Sequence, residues 1–154
     1  MRKEKGVTDE ERRVGAIQHI VHDWSMLVRL IDNPHPQPFP LNHATERAFL
    51  VECRKFANFF GNIRGRRNED AVSRDFVGDT HFKPKLPVWN KWHEHINRQL
   101  MHLSYGRVEN TESWDGSAND PIYREMLDTW DKFLPCVDAK YKTEFDTQLK
   151  NRGF

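Results

Sequence analysis

Residues 88–107 read VWNKWHEHINRQLMHLSYGR, and the fold class turns on this stretch. It holds two of the five tryptophans and three of the eight histidines. Wound at about 100° per residue, Trp89, Trp92, Ile96, Leu100 and Leu103 fall along one side. Lys91, His95, Arg98 and His102 fall on a second, narrower face. His95, Arg98 and His102 stand at i, i+3 and i+7, so their side chains can meet. Pro87 suits a helix start and Gly106 a stop. The pattern predicts an amphipathic helix with an apolar side and a cationic side. Like charges one turn apart repel, so the second face is either solvated or set for a carboxylate or phosphate.

The same period recurs on both sides. Upstream, Thr8 and Glu11 match a capping box. Val14, Ile17, Ile20, Val21, Trp24, Leu27, Val28 and Ile31 then make a broad apolar face, with Gln18, His22 and Arg29 opposite. His19 and His22 read as surface residues. Residues 32–40, DNPHPQPFP, hold four of the eight prolines and predict an extended connector. Asn42 is the expected N-cap of a second helix, with Thr45 and Glu46 in its first turn. Phe49, Cys53, Phe56, Phe60 and Ile63 form its stripe, ending at Gly61 or Gly65. Phe59 widens that face toward a third element or a dimer mate. Arg64, Arg66 and Arg67 follow, either complementing the helix dipole or offering an RNA patch. A short helical turn is expected within 68–77. Residues 78–87, with Pro84 and Pro87, read as a second extended connector.

Downstream, 108–119 is a polar loop in which Trp114 would pin the chain to the core. Asp120 and Pro121 read as an N-cap and a first helical residue. Ile122, Tyr123, Met126, Leu127, Trp130, Phe133, Leu134, Val137, Tyr141 and Phe145 keep one helical phase, with Pro135 on the other side. One long kinked helix, or two nearly coaxial ones, is the expected result. No stretch alternates with period two. The sum is a single all-α domain over 1–154, four-helix-bundle-like, with two long Pro-containing loops, a kinked C-terminal helix and a tail at 1–7.

Composition sets the outer limits. A chain of 154 residues suits one domain. Apolar residues are 37% and charged residues 31%, and mean hydropathy is −0.85. Five Trp and ten Phe offset that polarity, because each aromatic buries a large area. An aromatic-rich small core also suits a homodimer. Net charge is +1, so nucleic-acid binding has to come from a local patch. Cys53 and Cys136 have no metal or redox spacing and read as reduced and buried in a cytoplasmic protein. The charged start, MRKEKGVTDEERR, is not a signal peptide, and no window suits a membrane span. Phosphate-cradling Gly-rich loops, Gly-x-Ser-x-Gly, zinc spacings and heptads are missing, which excludes the corresponding enzyme and binding classes.

The Arg/His pairing is the one hint of chemistry. Histidine titrates near neutrality and can serve as general acid or base. An arginine one turn away can hold a phosphate and stabilise its charge. RNA cleavage through its own 2′-hydroxyl needs little more, and no metal or other cofactor.

The stretch INRQLMHLSYGR, within a helical chain of this size, resembles the HEPN superfamily. Its members are small helical bundles, often dimeric, found in bacterial toxin–antitoxin and defence systems and in RNA processing. Many are metal-independent endoribonucleases built on an Arg, a polar follower and a His after four to six intervening residues, with two motifs meeting across the dimer. The resemblance implies Arg98 and His102 as catalytic residues and Gln99 as the polar follower. His95, Asn97 and Arg107 are nearby in sequence and are the expected binding residues beside them, although Asn97 points to a different part of the helix surface. Here only Gln99, Leu100 and Met101 separate Arg98 from His102.

Three other readings stand beside this one. Histidines 93, 95 and 102 could bind a metal, but His93 and His95 point to different helix faces and no Glu-x-x-His pattern accompanies them, so no metal is expected. The chain could be a non-catalytic dimeric adaptor that binds a protein partner. Or Arg98 and His102 could pair structurally with Glu125, Asp128 or Asp131.

Overall fold

A computed structural model describes residues 7–31, 41–63, 70–78, 82–97 and 119–154, the side chains of 41–43 excepted. The expected connector at 32–40, the arginines at 64–67 and the Trp114 loop lie outside the described residues. Among the described residues the chain is all-α, with helices α1 (Asp9–Ile31), α2 (Leu41–Phe60), α3 (Pro87–Ile96), α4 (Asn119–Phe133) and α5 (Ala139–Asn151). A 3-10 turn, Ser73–Asp75, lies between α2 and α3, as expected within 68–77, and another, Leu134–Cys136, follows α4. The only β pairing among the described residues is one antiparallel bridge, Val77 to Val137.

The capping box opens α1 as its sequence requires. Glu11 Oε2 accepts from Thr8 N at 2.7 Å, and Glu11 N donates to Thr8 Oγ1 at 3.2 Å. Ile17, Val21, Trp24 and Leu27 are buried, whereas Val14 is 39% exposed. The buried stripe therefore starts one turn later than its periodicity suggests. The first turns of α1 meet α5 through polar groups instead: Tyr141 Oη donates to Glu10 Oε2 at 2.9 Å and accepts from Arg13.

Helix α2 starts at Leu41, one residue ahead of the expected N-cap, so Asn42 belongs to the first turn. Phe49, Cys53, Phe56 and Phe60 are all buried, but Ile63 is 59% exposed. Its exposure has a local cause. Asn62 adopts φ +56°, the left-handed conformation that ends helices. Ile63 N then bonds Asn58 O at 2.9 Å and Asn62 N bonds Phe59 O at 3.3 Å, the paired reversal of a Schellman cap. Ile63 has left the helix by then. Phe59 is not a dimer surface: it is 6% exposed, against Phe76 and Phe133 of the same chain.

Residue pairs give the helix directions. Trp24 meets Phe56 and Asp23 meets Lys55, while Ala16 and Ile63 share one groove, so α1 and α2 run antiparallel. Glu46 meets Asn119, Phe49 meets Tyr123 and Phe56 meets Trp130, so α2 and α4 run parallel. Glu10 meets Tyr141 and Arg29 meets Arg152, so α1 and α5 also run parallel. At the centre, Trp24 stacks on Trp130 with centroids 4.4 Å apart and planes 9° from parallel. Phe56 stands edge-on to both, at 5.1 and 5.8 Å. Such pairs add about 0.5–1.5 kcal/mol beyond area burial.

The expected coaxial C-terminal helix is instead a turn-back. Phe145 lies 5.6 Å from Phe133, ring to ring, and 6.4 Å from Trp130. A continuous helix rising 1.5 Å per residue would part positions 133 and 145 by about 18 Å. Pro135 sits second in the 3-10 turn, Val137 is extended, and Asp138 restarts the helix by accepting from Lys140 N at 3.1 Å. The apolar phase survives because both limbs face the same core. Cys53 is buried as expected, but Cys136, in the turn, is only half-buried. No helix among the described residues is long and apolar enough to cross a membrane.

Candidate functional site

Helix α3 leads into the stretch that carries the candidate chemistry, and its own start lacks a capping side chain. Leu86 occupies the N-cap position and Pro87 the first helical one. Proline has no N–H to satisfy, which leaves the next two amides. Glu125, from the middle of α4, takes both: Val88 N donates to Oε1 at 2.8 Å and Trp89 N to Oε2 at 2.7 Å. The fourth amide, Asn90 N, bonds Leu86 O at 2.8 Å. Every early donor of α3 is thus accounted for, and the helix is fastened at its first turn by a carboxylate on another helix. Trp89 and Ile96 are buried and Trp92 is half-buried, which confirms the apolar side over this stretch.

The other side of α3 carries the polar residues. Lys91 Nζ lies 5.2 Å from the Trp92 ring centre, a cation–π contact. His95 is half-buried, edge-on to Trp92 with ring centres 6.1 Å apart. His93 Nδ1 lies 2.9 Å from Asn90 O, and a carbonyl can only accept, so Nδ1 carries the proton. Asn97 is half-buried and caps the helix, its amide donating to the carbonyls of His93 and Glu94. Its Oδ1 is buried and accepts no hydrogen bond among the described residues. A buried amide oxygen in that state is costly unless a donor reaches it.

Of the expected site residues, His95 and Asn97 are thus placed on the last turn of α3. Arg98, Gln99, His102 and Arg107 lie outside the described residues. His19 and His22 are exposed, as their positions on α1 suggested. No cluster of three His, Cys, Asp or Glu with metal-binding geometry occurs among the described residues. Glu125 was a candidate carboxylate for Arg98 and His102. Its two oxygens accept from the first turn of α3, and Arg98 and His102 lie outside the described residues. No pattern in sequence marks such a cap, because its donors and acceptor are 36 and 37 residues apart. No family model, characterised protein or solved structure matches the chain.

Proposed function

We propose that the chain is an HEPN-like helical protein of bacterial toxin–antitoxin or defence type that binds RNA and cleaves it without a metal, working as a homodimer. The observation that carries this reading is the last turn of α3, where His95 and Asn97 flank a buried Trp89–Ile96 side. Arg98 and His102 follow His95 by three and seven residues in the sequence. Arg98 holds the scissile phosphate and stabilises the charge that develops on it. His102 removes the proton of the 2′-hydroxyl as that oxygen attacks phosphorus. A 2′,3′-cyclic phosphate forms, the 5′-oxygen leaves, and the second copy's histidine protonates it.

The test is cleavage of single-stranded RNA in EDTA by the wild type, Arg98→Ala and His102→Ala, with the mass of the native protein measured in parallel. Wild-type cleavage that falls by about 100-fold or more in both variants supports the assignment. Cleavage that survives His102→Ala overturns it. A wild type that neither binds nor cuts RNA leaves the adaptor reading in its place.

A further inference from the structure

We infer a second feature of the RNA-binding reading: a lysine groove between the 82–86 connector and the C-terminal end of α4 that holds a single-stranded RNA backbone. The groove encloses about 510 Å³ and is lined by Phe82, Lys83, Pro84, Lys85, Thr129, Lys132 and Cys136. No acidic residue lines it among the described residues. The three lysines are exposed and make no ion pair among the described residues. In a chain of net charge +1, a concave wall with three cations and no acid among the described residues is a local excess. It is the kind of local patch that nucleic-acid binding requires here.

The lining favours a nucleic acid over a flat anionic surface. Phe82 alternates with lysine in Phe82-Lys83-Pro84-Lys85, and its ring is only half-buried. One side of that ring packs on Phe133 at 5.6 Å and Phe60 at 6.3 Å, which holds it firmly. Sequence-tolerant single-strand binding combines a basic groove for phosphates with a fixed aromatic ring for a base. Thr129 Oγ1 already donates to Glu125 O at 2.7 Å, so the ammonium groups are the donors that face a ligand. A membrane surface cannot enter a concavity of this size. Cys136 at the edge supplies a reporter, because Cys53 is buried and unreactive by comparison.

This inference rests on the RNA-binding reading, and its test separates the two. The probe is a fluorescein-labelled oligouridylate of about 12 nucleotides, with affinity read by anisotropy across a salt series. In K83Q/K85Q/K132Q, loss of three phosphate contacts lowers the slope of log K against log salt by about 2. Affinity at moderate salt falls on the order of tenfold. Saturating oligouridylate also slows the reaction of Cys136 with a neutral maleimide. A melt of the triple variant close to wild type shows that the fold is kept.

Binding unchanged in the triple variant, or Cys136 unprotected, overturns the groove. Poly-glutamate competing as well as RNA overturns it too, since the groove would then select charge alone. If the triple variant loses affinity while no variant or wild type cuts RNA, the groove stands and the ribonuclease assignment falls. If the wild type binds no oligouridylate, both fall.

Discussion

Glu125→Ala removes the group that starts α3. The carboxylate accepts from Val88 N at 2.8 Å and Trp89 N at 2.7 Å, and no side chain of α3 can replace it. A single N-cap side chain contributes about 1 kcal/mol, and a hydrogen bond to a charged group about 1.5–3 kcal/mol. With two donors on one half-buried carboxylate, Glu125→Ala is expected to cost about 3 kcal/mol. At roughly 2–4 °C per kcal/mol for a domain near this size, Tm falls by roughly 6–12 °C. Glu125→Gln keeps one acceptor but turns an amide NH2 on the other backbone N–H, so about 1–2 kcal/mol is expected. Urea denaturation measures the stability, and hydrogen exchange by NMR locates it: the amides of Val88 and Trp89 lose protection first. A cost under about 0.5 kcal/mol for Glu125→Ala, or unchanged exchange at those two amides, refutes the reasoning.

Four further outcomes follow from the packing. Asn62 holds a left-handed φ while its Oδ1 accepts from Arg74 N at 2.9 Å and from Ser73 Oγ at 3.3 Å. Asn62→Ala is therefore expected to cost about 2 kcal/mol and Asn62→Gly about 1, and a glycine variant less stable than the alanine variant in urea would contradict this. Trp24→Ala should cost about 3–5 kcal/mol by calorimetry, since it empties the centre of the aromatic stack. Lys55 bridges Asp23 at 3.1 Å and Glu52 at 2.9 Å but is half-exposed. Lys55→Met should change stability by under about 1 kcal/mol, with the difference shrinking in high salt. Burial pushes the Cys53 thiol well above its ordinary pKa, helped by the nearby Glu52 charge. The folded pKa exceeds the unfolded one, so this contribution is full below about pH 8.5 and declines as pH rises beyond it. Melts from neutral to alkaline pH should therefore fall more steeply in the wild type than in Cys53→Ala, and equal slopes would argue against it.

Much of the fold is legible in sequence where the determinants are local. Thr8 and Glu11 announce the start of α1, and the stripe from Phe49 to Phe60 announces the buried side of α2. Periodicity fails where a backbone feature or a distant partner decides. Ile63 continues the stripe in register, yet the left-handed Asn62 takes it out of the helix. The phase from Ile122 to Phe145 is unbroken although the chain turns back at Pro135, because periodicity reports which side faces the core and not the axis direction. The site divides similarly. His95 stands on the last turn of α3 and Asn97 caps it, while Arg98, Gln99, His102 and Arg107 lie outside the described residues. The Glu125 cap and the meeting of Lys83 and Lys85 with Lys132 depend on tertiary packing across more than thirty positions, which no window along the chain contains.

The parallel contact of α1 with α5 bears on how the chain is made. Tyr141 reaches Glu10 across 131 positions, and Phe145 closes the cluster around Trp130 and Phe133. During synthesis, α1 and α2 can pair as soon as they clear the ribosome tunnel. Trp24 still lacks Trp130 until α4 emerges, and Phe76 lacks Tyr141 and Phe145 until α5 does. At about 5–20 residues per second, the stretch from α3 to α5 takes seconds, during which an aromatic surface stays open to water or to a chaperone. Closing so long a loop also slows the last step of folding, because the entropy of the intervening chain is lost before the contact is made.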